Sequence, residues 1–270
     1  MAKIESAFFD LSYLENLAGQ NSIVHRLDPR IKVLVAAVFL ICVVSFDKYV
    51  ISAMLPFVLF LLVIAGIANI PVDFILRKLV LVSPFAIMVG IFNPLFDQQI
   101  VMHVGSVGIS GGILSFFSIL LRFSLTVSGM LILIATTGFN SVCMSMVKLG
   151  MPKIFAVQLL MLYRYIFVLI DEGLRMFQAW TLRSFQKRGM RLKTFSYIIG
   201  QLLLRTIDRS QRIHLAMLCR GFDGTIKIKQ SLRITATDIT CFVFSLVLLL
   251  FMRRYNIPEL LGVFFTGISL

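Results

Sequence analysis

RMFQAWTLRSFQKRGMRLKTFSYIIGQLLLRTIDRSQRIHLAMLCRGFDGTIKIKQSLR, residues Arg175 to Arg233, is the stretch on which the reading of this chain turns. Its 59 residues hold 13 of the chain's 26 Lys and Arg, but only Asp208 and Asp223 of its 13 acids. A segment so charged cannot lie in lipid, yet long apolar runs precede it and another follows. It therefore reads as a basic, helix-patterned platform on the cytoplasmic side of a membrane protein.

One short pattern occurs twice in the platform, as Ala179-Trp-Thr-Leu-Arg183-Ser184-Phe185 and as Ala216-Met-Leu-Cys-Arg220-Gly221-Phe222. An Arg beside a small residue lets another backbone approach closely while the guanidinium fork pairs with a carboxylate or carbonyls there. Two copies suggest two similar receivers. Plainer readings stand beside this one. Gly221 and Gly224 fit helix C-caps with Arg220 complementing the helix dipole, and the first copy fits a solvated basic face.

Composition sets the class. With 270 residues, 59% hydrophobic, 25 Phe and a mean hydropathy of +0.94, the chain reads as an all-α integral membrane protein. A net charge of +13 would also suit nucleic acid, but the cations cluster beside apolar spans, where the positive-inside rule accounts for them. Cys42, Cys143, Cys219 and Cys241 are scattered, with neither a disulfide framework nor zinc spacing. Glu5, Asp10, Glu15 and Asp28 precede any long apolar run, so no cleavable signal peptide is expected.

Taken in order, the chain suggests about five transmembrane helices. Residues 1–24 suit a short helix on the membrane or the protein. Asp28 and Pro29 form an N-cap and N1 pair that opens a span over 31–46, with the cations beside it favouring a cytoplasmic N-terminus. Further spans are expected over 49–70, over 79–96 and, after an external loop at 97–110, over 111–138. Arg122 lies inside the last of these and is read as snorkelling or paired. The apolar run 154–170 is ambiguous. An odd number of crossings before the platform would put one group of cations on the wrong side, so it reads as a buried or interfacial helix ending in Asp171 and Glu172. A fifth span over 235–252 follows. The expected divisions are 1–150 with four transmembrane helices, 151–234 with the cytoplasmic coupling helices, and 235–270 with the C-terminal span and tail.

Catalytic chemistry is missing from the pattern. There is no P-loop, no dinucleotide fingerprint, no H-E-x-x-H and no G-x-S-x-G, and His25, His103 and His214 fall in three separate segments. Adjacent Asp171 and Glu172 point about 100° apart on a helix and do not converge on one proton. Neither a cofactor nor a metal site is assigned to the chain. From the residues alone, a coupling subunit competes with a self-contained secondary carrier or channel, and a membrane enzyme comes third.

His25-Arg-Leu-Asp-Pro-Arg30, Phe92-Asn-Pro94, Ala135-Thr-Thr137, Tyr163-Arg-Tyr165, Arg183-Ser184 and Arg220-Gly-Phe-Asp-Gly224 together make the chain resemble a known family. It is similar to the transmembrane T component of energy-coupling factor transporters, most closely the cobalt and nickel type. The resemblance covers nearly the whole chain. It implies a helical subunit of the cell (inner) membrane that joins two cytoplasmic P-loop ATPases, which carry the ATP and Mg, to a separate substrate-binding membrane S component. It also implies that Leu182, Arg183 and Ser184, and Cys219, Arg220 and Gly221, enter grooves of the ATPases. Leu182 and Cys219 stand where that family usually has Ala. Cobalt or else nickel is the implied cargo, with a vitamin as the alternative.

Overall fold

The computed structural model describes residues 13–47, 51–96, 100–104, 107–183, 192–224 and 235–255. They form two compact units, one of 13–145 with 235–255 and one of 146–183 with 192–224. The architecture is all-α apart from one small hairpin. Three of the described helices are long and apolar enough to cross a membrane: Gly111–Thr137, Lys153–Arg183 and Ala236–Arg254.

In the first unit a short helix α1 (Ile23–Arg26) leads into α2 (Pro29–Val44), whose first turn is capped by the Asp28 carboxylate accepting from the Arg30 amide at 2.9 Å. A 3-10 turn (Ser52–Met54) and α3 (Leu55–Ile67) follow, and Asn69 closes α3 with φ 53° in the left-handed region. Helix α4 (Val72–Gly90) corrects the span expected over 79–96. It starts earlier and takes Arg77 and Lys78 into the helix, where Arg77 pairs with Asp73 at 2.6 Å. Pro84 sits inside α4 and offers no N–H to the Val80 carbonyl; the Ser83 hydroxyl donates to that oxygen instead, at 3.1 Å.

After α5 (Asn93–Phe96), the region expected as a plain loop contains strands β1 (Ile100–Val104) and β2 (Val107–Ser110), paired antiparallel. Helix α6 (Gly111–Thr137) packs against α2, α3, α4 and α5. In a bilayer the lipid tails are as apolar as the side chains, so helices associate through close packing of small residues rather than through a hydrophobic drive. The buried face of α6 follows this, with Gly111, Gly112, Ser115, Ser118, Ser128 and Gly129. A Cβ at Gly129 would stand 3.0 Å from the Phe39 ring, so a larger residue there would have to push the ring aside by a few tenths of an ångström. Phe39 in turn lies 5.9 Å from both Phe57 and Phe60, forming the aromatic centre of the core.

Residues 13–18 are helical and lie on this unit, with Leu17 buried and Tyr13 5.2 Å from Phe74 between ring centres. Helix α6 stops at Gly138, φ 74°, and α7 (Phe139–Lys148) follows.

The second unit contains α8 (Lys153–Arg183) and α9 (Leu192–Cys219). The run 154–170, expected as a buried or interfacial helix leading into Asp171 and Glu172, is the first part of the 31-residue α8, a helix with the length and apolarity of a span. No proline separates Ile170 from Arg175, and the single Gly173 costs only about 1 kcal/mol, so the helix continues through Asp171, Glu172 and Gly173. The last helix, α10 (Ala236–Arg254), returns to the first unit and packs on α2.

Candidate coupling surface

Along α9 the half-buried residues are Thr194, Ile198, Leu202, Thr206, Ile213 and Met217, spaced by four or seven, and this stripe faces α8. The pair is antiparallel. Met176 borders one cleft with Thr194 and Ile198, a Cβ at Gly173 would touch Leu202 at 3.9 Å, and Glu172 reaches Arg205. That last contact is an Nη1–Oε1 ion pair at 2.5 Å. Glu172 is thus no helix end; it is a charged tie between the two helices.

The residues singled out by the repeated pattern lie at the ends of this pair. Arg183 is the last residue of α8, and Leu182 before it is 85% exposed. Ser184 lies outside the described residues. Helix α9 closes with the Phe222 amide donating to the Met217 carbonyl and the Gly221 amide to the Leu218 carbonyl, both at 3.0 Å. Gly221 has φ 75°, a left-handed conformation that a Cβ disfavours, so the small residue after Arg220 is a requirement of this helix end. The C-cap reading is therefore correct for the second copy. It leaves Arg220 and the free thiol Cys219 fully presented. Neither Arg183 nor Arg220 has an ion pair or side-chain hydrogen bond to another described residue. Counting from the Gly173–Leu202 contact, Arg183 lies ten residues along α8 and Arg220 eighteen along α9, about 15 Å and about 27 Å in opposite directions.

Other motif residues have a structural task. The Asp28 amide donates to Asp238 Oδ1 at 3.1 Å, and Asp238 Oδ2 accepts from the Thr235 amide at 2.9 Å. Lys32, only 8% exposed, donates from Nζ to the carbonyls of His25 (3.1 Å) and Thr136 (3.0 Å), with Asp28 and Asp238 acting on its charge. His25 Nε2 is 3.0 Å from the Leu17 carbonyl, to which it donates. The segments 25–32, 135–138 and 235–238 are thereby tied at one end of the unit. At the other end Arg253 donates to the Ser45 carbonyl at 2.6 Å and Arg122 to the Asp47 carbonyl at 2.6 Å. Arg122 is thus paired, as the sequence suggested. Bonds at both ends make α2 and α10 parallel.

Tyr163 stacks edge-on with Phe167 at 5.3 Å, and Arg164 beside it is exposed. Among the described residues no three His, Cys, Asp or Glu side chains converge as a metal site would need.

Sequence reasoning missed the Lys32–Asp28–Asp238 cluster and the Glu172–Arg205 tie. For the first a local signal existed, because Thr235 and Asp238 make a capping box. In the sequence Lys32 reads only as one of the cations beside the first span.

Over residues 20–232 the chain matches the CbiQ family, described as cobalt transport protein. It is 26% identical over 246 residues to an uncharacterized protein of Methanocaldococcus jannaschii, covering 87% of this chain and 84% of that one. Two proteins named energy-coupling factor transporter transmembrane protein EcfT are also similar. That of Thermosediminibacter oceani is 23% identical over 83% of this chain and 89% of its own length. That of Ruminiclostridium cellulolyticum is 26% identical over 81% and 87%. A match through both units, spanning the capped start of α2 and the exposed arginine of α9, makes this chain a member of the CbiQ family of cobalt transport proteins.

Proposed function

We propose that the chain is the transmembrane coupling subunit of an energy-coupling factor importer, with no catalytic chemistry of its own. Two cytoplasmic P-loop ATPases hold the ATP and Mg and dock on it, and a separate substrate-binding membrane S component carries the cargo. The observation that carries this reading is the pair Arg183 and Arg220, exposed, unpartnered among the described residues and held at opposite ends of an antiparallel helix pair. Such arginines are suited to fork-shaped recognition of carboxylates or carbonyls on two receivers. Leu182 and Ser184 beside the first, and Cys219 and Gly221 beside the second, complete the two contact sets.

Membrane topology follows the same reading. The ends of α6 and α10 that lead to and from the second unit are both tied to residues 25–32, so the coupling helices leave and re-enter the membrane unit on one face. The parallel course of α2 and α10 supports an odd number of crossings between them, and so an even number before the platform, with the N-terminus and the platform cytoplasmic. Cobalt, or else nickel, is the proposed cargo, on the strength of the family.

The test is the double variant Arg183→Ala, Arg220→Ala in the host. It should insert in the membrane at the wild-type level and lose co-purifying ATPases and metal uptake. Wild-type uptake by the double variant would falsify the coupling role.

A further inference from the structure

Between α8 and α9, on the Arg220 side of the Glu172–Arg205 tie, the helices leave a cleft of about 710 Å³. Its apolar lining comes from Val157, Met161, Tyr165 and Val168 of α8 and from Ile213 and Met217 of α9. Arg205, Arg209 and Arg212 border it from α9. Their i, i+4, i+7 spacing puts them on one edge of that helix, over about 10 Å. Glu172, the one carboxylate in the lining, is already paired with Arg205. Arg209 has no partner among the described residues, Arg212 donates among them only to the Asp208 carbonyl at 3.3 Å, and Asp208 forms no ion pair with a described residue. The cleft therefore joins an apolar floor to an uncompensated cationic edge.

We propose that this cleft binds an anionic phospholipid of the membrane, with acyl chain on the floor and headgroup phosphate on Arg209 and Arg212. Two features select a lipid over an acidic helix of a partner protein. One wall is α8, whose apolar half, lying along the cytoplasmic face of the bilayer as the topology above requires, sets the floor against the acyl chains. The cations form a single row on one edge, whereas seating an acidic amphipathic helix would call for cations along both. Basic pockets between membrane helices are sites for anionic headgroups, and arginine forks match phosphate oxygens. The proposal is independent of the coupling role, because it concerns the lone chain.

The experiment uses the full chain in detergent, given equal amounts of dioleoyl phosphatidylglycerol and dioleoyl phosphatidylcholine, with retained lipid counted by native mass spectrometry. Wild type should keep phosphatidylglycerol in preference, and Arg209→Gln, Arg212→Gln should cut that preference about tenfold. The charge-keeping Arg209→Lys, Arg212→Lys should hold most of it, and circular dichroism should give both variants the wild-type helix content. Arg254→Gln, which removes an exposed arginine of the other unit, should change nothing. Equal retention of the two lipids, an unchanged preference in the Gln variant, or an equal loss in Arg254→Gln overturns the proposal. Displacement by millimolar inorganic phosphate overturns it in favour of a free phosphate site. Displacement by an acidic amphipathic peptide, without return of the lipid on dilution, overturns it in favour of a protein partner.

Discussion

The membrane unit and the proposed coupling unit use the same kinds of cationic side chain in opposite circumstances. In the first, Lys32 is buried against two carbonyls and within reach of two carboxylates, and Arg253 and Arg122 donate to carbonyls at the far end. In the second, Arg183, Arg209 and Arg220 project from helices with no partner in their own chain among the described residues. A buried cation needs its desolvation offset within the fold, so its bonds are structural. An exposed cation on a rigid helix end carries little stability and is available for something else. The contrast therefore separates residues that make the fold from residues that serve it.

The sharpest way to break this contrast is to remove an acceptor from the membrane unit. Asp238→Ala takes the partner from two backbone amides and a counter-charge from buried Lys32. A loss of about 3–5 kcal/mol is expected, and thermal unfolding in detergent would measure it. A shift of under 1 °C would show that Lys32 does not depend on the cluster.

The opposite expectation holds for the coupling unit. Arg183→Ala and Arg220→Ala should each leave the unfolding midpoint within experimental error, since surface changes usually stay within about 0.5 kcal/mol. Together they should weaken ATPase association by roughly 2–5 kcal/mol, the usual cost of breaking buried charged contacts between partners. Pull-down against a dilution series gives the second figure. Destabilisation without loss of ATPases would reverse the assignment.

Gly221→Ala tests whether the small residue beside Arg220 is there for the helix end. Its φ of 75° costs a residue with a Cβ about 1–2 kcal/mol. The expectation is fraying of the end of α9, read by hydrogen exchange at the Phe222 amide. Unchanged exchange would leave close approach of a partner as the reason for the glycine.

The smallest effect belongs to Arg205→Ala. Its bridge to Glu172 is well exposed on the arginine side, 59%, so no more than about 1 kcal/mol is expected. A much larger loss would mean that the tie fixes how the two helices meet.

Local chemistry alone was enough for several features. The class came from composition, the start of α2 from Asp28 and Pro29, the two presented arginines from a repeated seven-residue pattern, and the closure of α9 from Gly221. Each depends on residues within one or two helical turns. Two readings failed where the deciding partner lies on another helix. The unbroken course of α8 through Asp171 and Glu172 looked like a polar end, because charged residues in a helix read as a boundary until their partner on another helix is known. Lys32 reads in the sequence only as one more cation beside the first span, because Asp238 and Thr136, which face it, lie far along the chain.

What the sequence by itself determined was therefore the helices, their caps and the concentration of charge in residues 175–233. Only the tertiary structure decided which cations are spent inside the fold. Asp28 and Asp238 are 210 residues apart, Lys32 and Thr136 are 104 apart, and Glu172 and Arg205 are 33 apart on different helices. Helical periodicity and capping act over a few residues, whereas a buried charge is satisfied by whatever packing brings within about 3 Å of it.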